Sequence, residues 1–210
     1  MLKERVITAV VLLPILLPAL FWPSPYPLSA VVLVLIAAAG WEWGRLNGLR
    51  TVGALGVAAA CLVLCGESWY AGVMEERVPV LWAAAAVFWV ICGALLLRRG
   101  VEGWPRVPRA IRIFVGVLAL WVTWLAVAQA RFIGINFLLS VLVLVWVADI
   151  AAYAAGRTFG LKFTKQKLAP SISPGKSWEG AWGGMVGVLV LGIVWAIADH
   201  ALDARVPSLY

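Results

Sequence analysis

Apolar residues dominate the chain in seven long runs, each separated from the next by a short polar connection. Each run is near the length of about 20 residues that an α-helix needs to cross the hydrocarbon core of a bilayer. We therefore predict an all-α, polytopic membrane protein with about seven transmembrane helices. The third run is the shortest and gives the weakest pattern. The runs cover residues 6–22, 28–46, 51–66, 78–97, 111–129, 134–155 and 181–198.

The composition argues against the alternative of a soluble helical protein with a large core. Hydrophobic residues make up 64% of the chain and charged residues 13%, whereas soluble domains have about a quarter of their residues charged. So few charges cannot cover a surface that faces water. The 13 tryptophans fit a membrane protein as well, because this side chain favours the membrane–water interface.

The basic residues of the connections predict the orientation of the helices. With the N-terminus in the cytoplasm, fourteen of the 17 lysines and arginines fall on the cytoplasmic side and three on the outer side, namely Arg77, Arg131 and Arg205. Cytoplasmic loops carry this excess of positive charge in membrane proteins. We therefore expect one transmembrane domain over residues 1–210, with the loop 156–180 in the cytoplasm. The net charge of +7 then indicates contact with anionic membrane lipids and no nucleic-acid partner.

The loop KLAPSISPGKSWEG, residues 167–180, is the main candidate for chemistry. The stretch SPGKS resembles the end of a phosphate-binding P-loop, but Pro170 stands where that motif needs its first glycine. We expect Pro174 and Gly175 to form a bend, Lys176 to offer an ammonium and Ser177 to cap the next helix. Such a helix start suits a phosphate; the alternative is a plain turn with a lysine reaching to the membrane surface.

A second candidate is Asp149, a carboxylate inside the sixth apolar run. A charge at this depth costs about 2.5–3.5 kcal/mol on insertion scales, so it usually has a partner or a function. Tyr153 and Arg157 follow on the same helix face. Asp149 therefore either pairs with Arg157 for structural reasons or takes part in metal or substrate binding. The small residues Ala148, Ala152, Gly156 and Gly160 form a neighbouring strip that permits close helix contact.

Other polar residues have structural interpretations. The basic loop 98–112 is expected to anchor the topology at anionic headgroups, and Glu42 to anchor its helix at the interface. Glu179 is expected to interact favourably with the start of its helix. The three cysteines lie in apolar runs and are expected to be reduced. His200 falls on the predicted outer side and receives no catalytic role.

The stretch ADIAAYAAGRTFG…KLAPSISPGKSWEG, residues 148–180, resembles the central block of the bacterial phosphatidate cytidylyltransferase (CDP-diacylglycerol synthase) family. The opening MLKERVITAVVLLPILLPALF and the later AAAGWEWGRLNG are similar to its N-terminal region. The resemblance implies a multi-pass enzyme of the bacterial inner membrane with its active face in the cytoplasm. Such an enzyme joins CTP and phosphatidic acid, with Mg²⁺, into CDP-diacylglycerol and pyrophosphate.

The resemblance also implies roles for individual residues. Lys176 and Asp149 would be catalytic, with Asp149 also a metal ligand. The substrate-binding residues would be Lys167, Ser173, Pro174, Gly175, Ser177, Arg157 and Tyr153. Association into a homodimer is a further expectation.

The sequence departs from the family pattern after the seventh run. The family carries a P-G-H-G-G run and a D-R-x-D motif further on, and neither occurs in these 210 residues. We therefore expect a fragment or a truncated product that is inactive alone and lacks the main metal ligands. A small membrane transporter for an anionic solute and a non-catalytic membrane scaffold subunit are the alternative functions.

Overall fold

A computed structural model describes the backbone of residues 2–203 and the side chains of residues 10–198. Arg205 and the side chain of His200 lie outside this part. Seven α-helices account for most of it, which confirms the all-α polytopic prediction. They are α1 (Leu2–Phe21), α2 (Tyr26–Leu46), α3 (Thr51–Tyr70), α4 (Pro79–Arg99), α5 (Arg109–Ile133), α6 (Ile135–Phe159) and α7 (Trp178–Asp203). A 3-10 helix, Val101–Arg106, precedes α5, and two short strands, β1 (Lys167–Ala169) and β2 (Ser173–Ser177), precede α7.

Among the residues with described side chains, six helices, α2 to α7, are long and apolar enough to cross a membrane. In α1 the described side chains begin at Val10, and the apolar stretch among them is Val10–Phe21. The third run, the weakest in the sequence, forms a full helix of 20 residues. Gly134 alone separates α5 from α6 and has φ +155 and ψ 155, a conformation open essentially to glycine.

The contacts divide the chain into two compact units. The first comprises residues 1–94 and 102–138, and the second comprises residues 95–101 and 139–210. This division does not test the prediction of a single transmembrane domain.

The core of the first unit lies between α2, α3 and α5. Trp124 and Leu125 on α5 and Cys61 and Cys65 on α3 are fully buried there. All three cysteines are free, as predicted. The indole of Trp124 donates to the carbonyl of Ser29 at 3.0 Å, so the polar atom of this large core side chain has a partner.

Connections that the sequence assigns to one side of the membrane meet in the first unit. Gln129, near the end of α5, donates to the carbonyls of Val73 and Glu76 in the α3–α4 connection. Arg131 is buried and donates to the carbonyls of Leu20 and Trp22, where α1 ends. These contacts agree with the predicted alternation of the helices.

The second unit contains α6 from residue 139 onwards, the two strands and α7, and these two helices meet through small residues. A Cβ on Gly184 would lie 3.1 Å from the carbonyl oxygen of Ala148. One on Gly180 would lie 3.0 Å from the carbonyl oxygen of Ala152 and 3.4 Å from the Cα of Gly156. The predicted strip of small residues on α6 therefore does make a close helix contact, and its partners are the glycines of α7.

Candidate functional site

The loop between α6 and α7 folds as a β-hairpin, which the sequence interpretation missed. β1 and β2 pair antiparallel, with Lys167 opposite Ser177 and Ala169 opposite Ser173, and the register is irregular between the two pairs. The turn lies at residues 169–172, where the amide of Ile172 donates to the carbonyl of Ala169 at 3.1 Å. Its second residue is Pro170, whose fixed φ favours that position of a tight turn.

The prediction of a bend at Pro174 and Gly175 is therefore wrong. Both residues lie in the extended strand β2, and the bend is at Pro170 instead. A ribbon of two strands tolerates a proline because each strand has one edge without a partner. Gly175 does not adopt a positive φ, and a Cβ there would meet nothing within 4 Å. Lys167 and Lys176 therefore lie on two paired strands and not on a glycine turn.

Ser177 is the last residue of β2 and the N-cap of α7. Its hydroxyl oxygen accepts from the amide of Gly180 at 3.2 Å, and its side chain is buried. This geometry confirms the predicted cap. The neighbouring Lys176 and, on β1, Lys167 are exposed, and Ser173 is partly exposed. Among the described residues neither lysine forms an ion pair, so both ammonium groups are available to an anion.

Glu179, in the first turn of α7, fixes the segment that leads into the hairpin. Its side chain is only 4% exposed. One oxygen, Oε1, accepts from the amides of Phe163 and Thr164 at 3.1 and 2.6 Å and from the Thr164 hydroxyl at 2.8 Å. The other oxygen, Oε2, is buried without a hydrogen-bond partner. The sequence predicted the favourable helix position of this carboxylate but not its link to the preceding loop.

The backbone of that same segment is strained at Leu161. Its φ is +62, the single positive φ on a non-glycine residue in the described part of the chain. This left-handed conformation is unfavourable for a residue with a Cβ and persists where surrounding contacts enforce it. The three hydrogen bonds of Glu179 begin two residues later and supply such contacts. Strained backbone of this kind clusters at functional sites, which supports a functional role for residues 160–180.

Asp149 lies on α6 and lines an open groove of about 540 Å³ between α6 and α7. Its neighbours in the groove are small or apolar: Ala148, Ala152, Ala181, Gly184, Met185, Val188 and Leu189. The alternative in which Asp149 pairs with Arg157 is wrong, because Arg157 donates to the Tyr153 hydroxyl at 2.8 Å instead. Within the described residues Asp149 has no hydrogen bond or ion pair, so its carboxylate is free for a ligand.

The free carboxylate of Asp149 fits one coordination position of a Mg²⁺ ion. Mg²⁺ is commonly held by one or two carboxylates, together with waters and substrate phosphates. No group of three or more potential metal-ligating side chains occurs among the described residues. A metal at this groove would take waters and substrate phosphate oxygens as its other ligands.

The structure also brings a basic segment to the hairpin that the sequence assigned to topology alone. Gly100 follows Arg98 and Arg99 at the end of α4 and has φ +62. A Cβ on Gly100 would lie 2.6 Å from the hydroxyl of Ser171 in the hairpin turn. Both arginines are exposed. No local signal in the sequence connects residues 98–100 to residue 171, since the contact exists only in the folded second unit.

The arrangement gathers several cations and one free carboxylate in the second unit. Tyr153, Arg157, Lys167 and Lys176 have exposed side chains within 25 residues of sequence around the end of α6 and the hairpin. No hydrogen bond or ion pair joins Asp149 to the hairpin, and ten residues of α6, about 15 Å of helix, separate it from Phe159. Chemically, the unit suits a ligand with several negative charges and some length, such as a nucleotide or a phospholipid headgroup.

Comparison with known proteins agrees with this chemistry. A sequence model described as the cytidylyltransferase family matches residues 3–203. A phosphatidate cytidylyltransferase of Pseudomonas aeruginosa is 36% identical over 190 residues, which are 88% of this chain and 67% of that protein. One of Haemophilus influenzae is 35% identical over 93% of this chain and 73% of its own length. One of Staphylococcus haemolyticus is 27% identical over 92% of this chain and 71% of its own length. No solved structure matches.

Proposed function

The chain belongs to the cytidylyltransferase family, and we propose that it transfers the cytidylyl group of CTP to phosphatidic acid. The products are CDP-diacylglycerol and pyrophosphate. The observation that carries the proposal is the identity of 35–36% to two phosphatidate cytidylyltransferases over 88–93% of the chain. The groove and the hairpin of the second unit lie within residues 3–203, which the family model matches.

The reaction exchanges one phosphoanhydride bond for another. An oxygen of the phosphatidate phosphate attacks the α-phosphorus of CTP, and the bond from that phosphorus to the bridging β-phosphate oxygen breaks. Pyrophosphate leaves with the electron pair of that bond. Negative charge builds up on the phosphate oxygens during this step, so catalysis consists mainly of positioning and of charge neutralisation.

The exposed cations of the hairpin supply that neutralisation in our proposal. Lys176 acts as the catalytic cation and Lys167 holds substrate phosphate from the neighbouring strand. Arg157, oriented by its hydrogen bond to Tyr153, adds a third positive charge at the end of α6. Ser173 offers a hydroxyl at the start of β2. Pro174 and Gly175 form the part of β2 that leads to Lys176. Ser177 fixes the start of α7 next to Lys176, because its oxygen accepts the capping hydrogen bond.

Mg²⁺ is the proposed cofactor, with Asp149 as the ligand that this part of the chain contributes. When bound, the ion would polarise phosphate oxygens and neutralise their charge. The groove beside Asp149 is lined by α6 and α7 and is open, so a lipid phosphate could reach this carboxylate from the membrane.

We propose that the site faces the cytoplasm and that the membrane is the bacterial inner membrane. The excess of lysine and arginine in the predicted cytoplasmic connections supports this orientation, and the matched relatives are bacterial. CTP is a cytoplasmic metabolite, which agrees with the same face. Association into a homodimer stays a prediction.

The experiment is a lipid-labelling assay in mixed micelles with CTP radiolabelled at the α-phosphate, phosphatidic acid and Mg²⁺. It compares the 210-residue chain with the same chain extended through any downstream reading frame. Lys176→Ala is made in the active form, with Arg77→Ala as the matched control because Arg77 is an exposed cation of the α3–α4 connection. We expect Lys176→Ala to lower kcat/KM by about 10²-fold, the scale of one lost transition-state contact, and Arg77→Ala to leave it unchanged.

Two outcomes would count against this account. Absence of labelled lipid from every form, with correct membrane insertion, would overturn the enzymatic proposal in favour of a transporter or a scaffold subunit. Equal activity of the Lys176→Ala and Arg77→Ala variants would remove Lys176 from the proposed site. Turnover by the 210-residue chain alone would support the function and contradict the expectation that this chain is inactive by itself.

A further inference from the structure

The first unit carries a group of arginines and tryptophans that the proposed reaction does not use. We call Trp43, Trp104, Arg109 and Arg112 the arginine–tryptophan cluster. The two indole rings meet edge to face, with centroids 6.1 Å apart. The guanidinium of Arg112 lies over the ring of Trp104 at 5.6 Å from its centroid. The cluster sits where α2 ends and α5 begins.

Hydrogen bonds to the backbone hold the cluster in place and leave the guanidinium of Arg112 free. The indole of Trp43 donates to the main-chain carbonyl of Arg112 at 3.1 Å, so this bond does not occupy the guanidinium. Arg109 makes a long contact of 3.4 Å from Nη1 to the carbonyl of Gly48. Arg109 and Arg112 are three residues apart on α5 and therefore lie on the same helix face.

The guanidinium of Arg112 lacks an acceptor. Its Nε is buried and has no hydrogen-bond partner among the described residues, and leaving such a donor unsatisfied costs free energy. Among the described residues neither Arg109 nor Arg112 forms an ion pair. Glu42 and Glu102, the carboxylates closest to the cluster in sequence, do not pair with it either. Two arginines on one helix face thus remain unneutralised beside two tryptophans.

We propose that the arginine–tryptophan cluster binds the phosphate of an anionic glycerophospholipid. A guanidinium matches phosphate with paired hydrogen bonds, and tryptophan favours the membrane interface. The cluster lies where α2 ends and α5 begins, two helices that are long and apolar enough to cross a membrane, so we expect it near the headgroup phosphates. The lipid is therefore a nearer source of phosphate than a soluble anion. None of its residues is among those assigned to the proposed reaction, and all of them belong to the first unit.

The test is native mass spectrometry of the full chain in detergent, titrated with short-chain lipids. Dioctanoyl phosphatidylglycerol is the probe, because its phosphate is already a diester and it is not the proposed substrate. Dioctanoyl phosphatidylcholine and glycerol 3-phosphate are the neutral-lipid and free-phosphate comparisons. Arg112→Gln is paired with the control Arg45→Gln, because Arg45 also lies over a tryptophan, Trp41, at 5.1 Å.

We expect phosphatidylglycerol to bind more tightly than the other two probes. Arg112→Gln should raise its Kd about tenfold, the scale of one hydrogen bond to a charged group, while Arg45→Gln changes it less than about twofold. Arg109→Gln provides a second variant at an exposed position that should leave folding intact, and it should weaken binding in the same direction.

Three results would overturn the proposal. Equal binding of phosphatidylglycerol and phosphatidylcholine would show that charge plays no part. Equal weakening by Arg112→Gln and Arg45→Gln would show a diffuse surface attraction instead of a site. Binding of glycerol 3-phosphate as tightly as the anionic lipid would show a soluble phosphate ligand.

Discussion

The close contact between α6 and α7 predicts that a methyl group added at Gly183 destabilises the protein. A Cβ on Gly183 would overlap the Cβ of Ala155 and lie 3.1 Å from the carbonyl oxygen of Ala151. On the same helix, a Cβ on Gly192 would meet nothing within 4 Å. Both Gly→Ala changes gain about the same helix propensity, near 1 kcal/mol, so this term cancels in a comparison of the two variants. The remaining difference is the cost of overpacking, about 1–3 kcal/mol.

We therefore expect Gly183→Ala to have a free energy of unfolding about 1–3 kcal/mol below that of Gly192→Ala. The measurement is reversible unfolding in mixed micelles with increasing SDS, followed by far-UV circular dichroism. Gly156→Ala is a further control, because its Cβ would make ordinary contacts of 3.5 Å with the Cα of Gly180 and 3.6 Å with the Oγ of Ser177. Equal stability of Gly183→Ala and Gly192→Ala would refute the close helix contact on which the groove beside Asp149 depends.

Two predictions concern the start of α7. Ser177→Ala removes the cap on the amide of Gly180 and should lower the free energy of unfolding by about 1 kcal/mol. Ser177→Asp can still accept this hydrogen bond, so it should lose less stability in the same unfolding assay. Equal losses in the two variants would show that the hydroxyl of Ser177 does not stabilise the helix as a cap. Glu179→Ala removes the acceptor of the Phe163 and Thr164 amides, so both amides should exchange hydrogen faster. Glu179→Gln keeps an acceptor oxygen and should exchange at a rate closer to that of the parent chain. Unchanged exchange in Glu179→Ala would mean that other contacts hold this segment.

The sequence predicted the helices well because the requirement to cross a membrane acts on each segment separately. A run of about 20 apolar residues specifies a helix whatever its neighbours do, since its backbone must satisfy its own hydrogen bonds in lipid. The boundaries moved most where polar residues extend a helix beyond the bilayer core. For example, α6 continues through Arg157 to Phe159, whereas the apolar run ends at residue 155.

The sequence predicted some of the local geometry of the candidate site and missed the rest. The capping role of Ser177 could be predicted because a cap is local, reaching three residues along the chain. The bend was placed at Pro174 instead of Pro170 because both prolines are compatible with a turn. The choice depends on the pairing of β1 with β2, and in so short a hairpin a few hydrogen bonds decide it.

The sequence by itself determined the membrane class, the number of helices and the distribution of positive charge; its choice of residues for phosphate binding stays a prediction. Those properties follow from hydropathy, charge and local spacing, which depend only on residues that are close together in the sequence. Only the tertiary structure decided that Asp149 is free of Arg157, that Glu179 holds the amides of residues 163 and 164, and that Ser171 meets Gly100. These contacts join residues that are distant in sequence or choose among several possible partners, so they depend on how whole elements pack.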